Sequence, residues 1–211
     1  MVTQAVKKRG KIILITITGI IILAGILVPI MPFMLGWNPA YGTPSFEFPM
    51  ENISTVVGMS AYNTPDWGEP GIFHNGLDLE ISAPTPLVSP CFGVIERIWY
   101  NINPYTGGEV AMIHVSIRVN YVWSVKLVFE PWANTTEIRE QQLEAIVIKK
   151  GDRVQPGDLI GTLLYNYEYP HLHYMIMKNS KDVCPYAYSS LTAQAMFEEI
   201  AFLTNSTICY T

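Results

Sequence analysis

Residues 170–174 read Pro-His-Leu-His-Tyr and residues 74–78 read His-Asn-Gly-Leu-Asp, and together these two stretches hold three of the chain's four histidines. In an extended strand His171 and His173 project from one face roughly 6.6 Å apart, so one imidazole can bind a metal while its neighbour handles a proton. His74 and Asp78 also share a face by period two, but a flat strand would hold them roughly 13 Å apart, too far to ligate one ion. The backbone must bend between them, and Gly76 at the midpoint permits a bulge or a positive φ. Two ring nitrogens and one carboxylate oxygen leave a tetrahedral zinc one open position, the pattern of a catalytic site. Either motif alone reads more simply as polar residues near a glycine turn making ordinary hydrogen bonds. The pair, separated by a β-rich stretch, favours the metal.

Around these motifs the chain predicts short β runs at 87–88, 94–100, 110–119, 121–129, 145–148, 159–164 and 172–177, divided by turn signals. The fold class expected is mainly β, an antiparallel sheet core with a C-terminal helix, preceded by one N-terminal transmembrane helix. Pro156-Gly157 has proline and glycine where a type II turn needs them, and it and Gly151-Asp152 read as structural. Asn134 with Glu137 three residues on predicts a short helix through 138–143, with a strand extension as the competing reading. After Ser189 and Ser190, Met196, Ile200 and Leu203 recur at helical spacing, predicting a helix over 190–203 with one face on the sheet.

The N-terminal part is different in kind. Residues 1–11 carry Lys7, Lys8, Arg9 and Lys11 with no acid, and nothing from Ile12 to Leu35 is charged. At roughly 1.5 Å per residue that run exceeds the roughly 30 Å hydrocarbon thickness of a bilayer, and it is longer than the apolar stretch of about 7 to 15 residues in a cleavable signal peptide. We expect a cytoplasmic basic N-terminus at 1–11, a membrane anchor at 12–36, a stiff Pro/Gly-containing tether at 37–49 and an extracytoplasmic domain at 50–211. That places the protein in the cell membrane as a single-pass chain. The sequons at Asn52, Asn134 and Asn205 all fall on the outer side.

Charge narrows the partners. Of 13 lysines and arginines four precede the apolar run, leaving 9 basic against 18 acidic residues in the remainder. Such an excess disfavours nucleic acid, because phosphate binding draws on surplus cations. Cys91, Cys184 and Cys209 lie beyond the anchor, where disulfides persist. Cys184 and Cys209 flank the predicted C-terminal helix and are the first pair to consider; three buried thiols is the competing reading.

Four segments follow in order: His74-x-Gly76-x-Asp78, L-V-S-P-C-F-G-V-I at 87–95, K-K-G-D-R-V-Q-P-G-D-L-I-G at 149–161 and P-H-L-H-Y at 170–174. In this order they resemble the LytM/lysostaphin-type zinc metallopeptidases, over roughly residues 70–178. The resemblance implies a zinc endopeptidase that hydrolyses peptide bonds in cell-envelope or wall peptides, murein cross-links in the type case, through a zinc-bound water. By motif position His74, Asp78 and His173 would be the zinc ligands. His171 would be the catalytic histidine that assists proton transfer and steadies the tetrahedral intermediate.

One position departs from that pattern. Members of the family carry a further catalytic histidine in a Y-x-H-L-like segment, and the corresponding stretch here is V-K-L-V-F-E-P-W at 125–132, with Glu130 or Pro131 at that place. His114 lies too early and matches a common non-catalytic histidine of the preceding strand. Glu130 can serve as a general base beside zinc; alternatively it ends a strand in solvent, and the chain is a catalytically impaired peptidase-fold protein that binds envelope peptides or regulates a partner hydrolase. Trp99, Trp132, Tyr167, Tyr169 and Tyr174 are candidates for a substrate groove, although aromatics in β domains more often pack the core or rim.

Overall fold

The computed structural model describes residues 42–103, 110–132, 136–166 and 169–210. The expected anchor at 12–36 lies outside these residues; among the described ones no helix is long and apolar enough to cross a membrane.

Among the described residues ten strands appear in chain order: β1 (Val56–Ser60), β2 (Leu77–Ile81), β3 (Thr85–Val88), β4 (Gly93–Ile102), β5 (Ala111–Arg118), β6 (Trp123–Glu130), β7 (Arg153–Val154), β8 (Leu159–Leu163), β9 (His171–Lys178) and β10 (Lys181–Val183). Two α-helices join them, α1 (Thr136–Glu144) and α2 (Leu191–Thr204). The larger sheet runs β1-β2-β9-β6-β5-β4-β7, with β10 pairing on β9, and β3 pairs with β8 separately. All these pairings are antiparallel, as the alternating runs predict.

The pleat divides the large sheet into two faces. Leu77, Leu79 and Ile81 of β2, Leu172, Tyr174 and Ile176 of β9, Val125, Leu127 and Phe129 of β6, and Ile113, Val115 and Ile117 of β5 are all buried on one face and form the core. α2 closes over part of this face. Ser190 caps it, its Oγ accepting from Ala193 N at 3.1 Å, and Asn205 ends it in the left-handed region at φ 52°. Its inward stripe is Ala193, Phe197 and Ile200, with Phe197 edge-on to Phe48 at 5.0 Å. The stripe is therefore rotated from the expected Met196, Ile200 and Leu203: Leu203 is 68% exposed, because the larger ring of Phe197 takes the space beside Tyr174.

Three other expectations shift. Residues 145–148 form only an isolated bridge, Ile146 to Gly161; a Cβ at Gly161 would lie 2.7 Å from Ala145 O, so the two backbones touch at one point instead of pairing along a strand. Residues 121–122 are a turn, because Asn120 Oδ1 accepts from the backbone N–H of Val122 and Trp123 at 2.8 and 2.9 Å. Phe46 and Phe48, expected within the tether, are in the core, where Phe46 N donates to Tyr188 O and Ser190 N to Phe46 O. Helix α1 is present, and its expected cap Asn134 lies outside the described residues. The turn at 155–158 is as expected, with Gly157 at φ 88° and Asp158 N donating to Gln155 O at 3.1 Å. Cys184 and Cys209 form a disulfide, and Cys91 is a buried free thiol, pushed up to about 12 by burial, against a smaller opposing effect of Ser89.

Candidate metal centre

Strand register assembles the site on the face opposite the core. Asp78 pairs with His173, His173 with Val128, Val128 with His114, and His114 with Trp99. Side chains from five strands thus stand in one row. Two residues along, Glu80 pairs with His171 and His171 with Glu130. A cavity of about 610 Å³ opens over this face, lined among others by Trp67, Phe73, Trp99, Lys126 and Trp132.

His74 reaches the row from outside the strand. β2 begins only at Leu77, and His74 is held in the preceding loop by two backbone hydrogen bonds, Asn63 N to His74 O at 2.7 Å and His74 N to Thr64 O at 3.0 Å. The bend that a flat strand would have forbidden lies before the strand. Gly76 does not supply it through a positive φ or a bulge in the strand, since it is not among the positive-φ residues. Its role is close approach: a Cβ there would lie 2.7 Å from the His173 ring and 2.9 Å from Tyr174 O. Gly76→Ala is expected to lower stability by about 2 kcal/mol, since the carbonyl belongs to a paired strand and cannot yield, and to weaken metal binding; thermal unfolding beside a zinc titration checks both.

Three donor atoms converge. His74 Nε2 is 3.2 Å from Asp78 Oδ1, His173 Nδ1 is 2.6 Å from the same oxygen, and the two ring nitrogens are 3.2 Å apart. Tetrahedral zinc with bonds near 2.0–2.1 Å separates its ligands by about 3.3 Å. The outer contacts favour this use of the rings. His74 Nδ1 donates to Ala61 O at 2.7 Å, leaving Nε2 with its lone pair toward Asp78, and His173 Nε2 lies 3.1 Å from Asn75 Oδ1, leaving Nδ1 inward. Lone pairs facing one point are mutually repulsive unless a cation lies between them, so the donor set fits a metal ion. Among the described residues this is the group that can hold one.

Burial opposes charge on Asp78, but the neighbouring His173 and His171, with hydrogen bonds from His173 and His74, hold its carboxyl well below the usual range. His171 is in the converse position. Burial disfavours its charge, yet Asp78 and Glu130 carry it up to about 9; a dication on Asp78 would oppose that rise. Its Nδ1 donates to Tyr169 O at 2.9 Å, and its Nε2 lies 3.5 Å from Glu130 Oε2 and 3.9 Å from Asp78 Oδ2.

Every residue expected at the site is therefore brought together: His74, Asp78 and His173 converge, and His171 and Glu130 stand beside them. Glu130 does not end its strand in solvent; it is 4% exposed and accepts from Asn103 Nδ2 at 3.4 Å. Of the aromatics, Trp99 and Trp132 line the cavity, Tyr174 is in the core and Tyr169 is exposed; Tyr167 lies outside the described residues. Sequence reasoning missed Asn75, whose place inside the His-Asn-Gly-Leu-Asp segment was a usable signal, and Trp67, which stacks on His74 at 4.1 Å with no local signal at all.

His114 lines the same cleft and, like the buried Tyr174 hydroxyl, has polarity that no hydrogen bond uses. It stacks flush on Trp99 at 4.5 Å and 6°, and neither ring nitrogen has a hydrogen-bond partner. Burial first, with Lys126, His173 and Arg97 adding to it and Glu130 opposing, pushes it down to about 4. The unfolded chain therefore binds this proton first, so stability is lost as pH falls from the ordinary histidine value toward 4. His114→Phe keeps the stack and leaves no unpaired nitrogen. It is expected to be neutral or stabilising by about 1 kcal/mol at neutral pH and to flatten the acid-side fall in melting temperature, read by thermal circular dichroism between pH 7 and 4.5.

A curled antiparallel sheet and the loop that precedes β2 bring two histidines and an aspartate to one point, a donor set that can hold a metal ion. Residues 72–185 match the model of peptidase family M23, more than half of the chain, and the chain belongs to that family. Its fold is similar to a zinc-containing peptidase from Vibrio cholerae at 20% identity and TM-score 0.47, covering 67% of this chain and 39% of that one. It is also similar to the catalytic domain of the prophage-encoded M23 protein EnpA from Enterococcus faecalis (23%, TM-score 0.44, covering 68% and 98%). The catalytic domain of the antimicrobial peptidase lysostaphin from Staphylococcus simulans is a further similar structure (24%, TM-score 0.40, covering 60% and 86%). The chain thus spans well under half of the Vibrio peptidase. No curated protein sequence matches it.

Proposed function

We propose that this chain is a zinc metalloendopeptidase, anchored in the cell membrane by residues 12–36, that hydrolyses peptide bonds in cell-envelope or wall peptides outside the cell. The observation that carries the reading is the convergence of His74 Nε2, Asp78 Oδ1 and His173 Nδ1, with Ala61 O and Asn75 Oδ1 behind the two rings. Zinc held by these residues supplies a Lewis acid and a water acidic enough to ionise near neutral pH. His171 and Glu130 handle the proton: Nε2 faces the Glu130 carboxylate, so a proton can pass between them, and the charged ring can donate to the oxygen that becomes negative at the scissile carbonyl. Trp132 packs against His171 at 5.3 Å and Trp67 against His74, walls that orient both rings and exclude water. The acidic balance of the chain supports an outer domain that neither binds nucleic acid nor clings to anionic polymers.

The second reading, a peptidase-fold protein that binds envelope peptides or regulates a hydrolase, is favoured by Glu130 standing where the resemblance expects histidine. Both readings are separated in one preparation of the full chain, by zinc content after dialysis and by mass spectrometry of glycine- and alanine-rich peptides. Bound zinc with cleavage supports the enzyme. Bound zinc with every peptide intact sinks it and leaves the binding reading.

A further inference from the structure

We infer that Lys126 and the apolar surface around it form a carboxylate-binding subsite of the cavity, so that the preferred substrates are peptides with a carboxylate about two or three residues from the bond cleaved. The inference rests on the zinc-peptidase reading above and names the substrate class of that site.

Register fixes where the cation stands. Lys126 pairs with Met175 on β9 and with Ser116 on β5. Two residues along β6, Val128 pairs with His173 and His114. Lys126 therefore projects from the same face of the sheet as His173 and the Trp99–His114 stack, and it lines the cavity together with Met175 and Val128. Strands lie about 4.8 Å apart and rise about 3.3 Å per residue, which puts the Lys126 backbone roughly 8 Å from that of His173. An extended peptide covers that distance in about two or three residues.

The charge at this position is uncompensated. Among the described residues Lys126, which is half-buried, has no carboxylate or ring partner. The other cations on this face of β4 and β5 are engaged, Arg118 by Glu96 and Arg97 by the Trp99 ring at 4.7 Å. The acids are engaged as well. Glu96 also accepts from Ser116 Oγ at 3.4 Å, while Asp78 and Glu130 face the histidines. A lysine drawn into a cavity without a counter-ion is an unusual arrangement, and an anion brought by the ligand compensates it. In a chain with 18 acidic residues against 13 basic, this cation is a local exception. Lys126 also lies close enough to His114 to help hold that ring neutral, so the stack presents apolar surface. Methylenes of the ligand pack on Met175, Val128 and the stack, and the ammonium takes the carboxylate. An ammonium is a point charge with three donors and no planar fork, so it accepts the side chain of an acidic residue or a free C-terminus.

The test uses the zinc-loaded full chain and sets of blocked glycine- and alanine-rich peptides that differ at one place. Each set holds a glutamate peptide, its glutamine twin, and a neutral peptide ending there in a free or an amidated C-terminus, with that place moved along the chain. Cleavage is followed by mass spectrometry and affinity by calorimetry. Wild type is expected to favour the carboxylate member by roughly 10- to 100-fold in kcat/KM and in affinity, most strongly about two or three residues from the cleaved bond; the glutamate and free-terminus arms show which carboxylate it takes. Lys126→Met is expected to treat the members of each set alike, and Lys126→Glu to prefer a lysine peptide, with zinc retained in both as the sign that they are folded. Equal handling of every set by wild type, or a preference that survives in Lys126→Met, overturns the subsite and leaves the peptidase reading standing. If no peptide is cleaved, that reading falls and affinity alone decides the subsite: equal affinities overturn it, and a carboxylate preference lost in Lys126→Met supports it.

Discussion

Replacing His173 by alanine is expected to remove the tightly held zinc and, with it, peptide cleavage. His173 contributes one of three donors, and it is also the closest partner of Asp78, 2.6 Å away. Outer-shell partners of a metal ligand are worth about 10- to 100-fold in affinity, so loss of a ligand itself should exceed about 100-fold. Asn75→Ala supplies the internal scale: it removes only the acceptor behind His173 Nε2 and should weaken zinc by about 10- to 100-fold. A second effect follows from burial. Asp78 is 5% exposed, and a buried carboxylate that loses its main partner destabilises the fold by about 3–5 kcal/mol where nothing else compensates. His74 and His171 remain, so the loss should fall at the lower end. Elemental analysis after dialysis and chemical unfolding of the metal-free chain read the two effects separately. Tight zinc retained by the alanine variant would mean that the donor set is wrong.

Reducing the Cys184–Cys209 disulfide, or replacing both residues by serine, is expected to lower stability and loosen the metal centre together. The bridge closes a loop with a sequence separation of 25 residues, for which the chain-entropy account gives about 3 kcal/mol, or a fall of roughly 10 °C in a domain of this size. Cys91 does not confuse the experiment, being 4% exposed. The coupling to the metal runs through backbone. The tail beside Cys209 pairs with Tyr62, through Tyr62 N to Ile208 O and Tyr210 N to Tyr62 O. The adjoining Ala61, Asn63 and Thr64 in turn hold the His74 backbone and ring. Releasing the tail should therefore let His74 wander, weakening zinc binding more than Gly157 or other remote turn variants of equal stability loss would. Unchanged zinc affinity beside a lowered melting temperature would show that the 61–64 segment holds His74 without the tail.

Much of this was legible in one dimension because strands impose a period of two. The alternation Leu172, Tyr174, Ile176 against His171, His173, Met175 fixes which side chains share a face, whatever the partner strands are. The same logic finds β4, β5, β6 and β8 within a few residues. It fails where a strand is short or where register is set from a distance. β2 carries the alternation, Leu77, Leu79 and Ile81 against Asp78 and Glu80, over only five residues, and β1, which lacks one, is a strand because it pairs with β2. The inward face of α2 also depended on a neighbour, the space beside Tyr174 and Phe48 that Phe197 fills.

By itself the sequence determined the donor types, their pairing into two motifs, the antiparallel β character and the departure at residue 130, since all of these are local patterns of chemistry and period. Only the tertiary structure decided that His74 approaches from a loop, that Gly76 is needed for clearance from His173, and that Glu130 is buried against His171. Those depend on cross-strand register and on contacts between residues separated by up to about a hundred positions in the chain, distances over which no local pattern carries information.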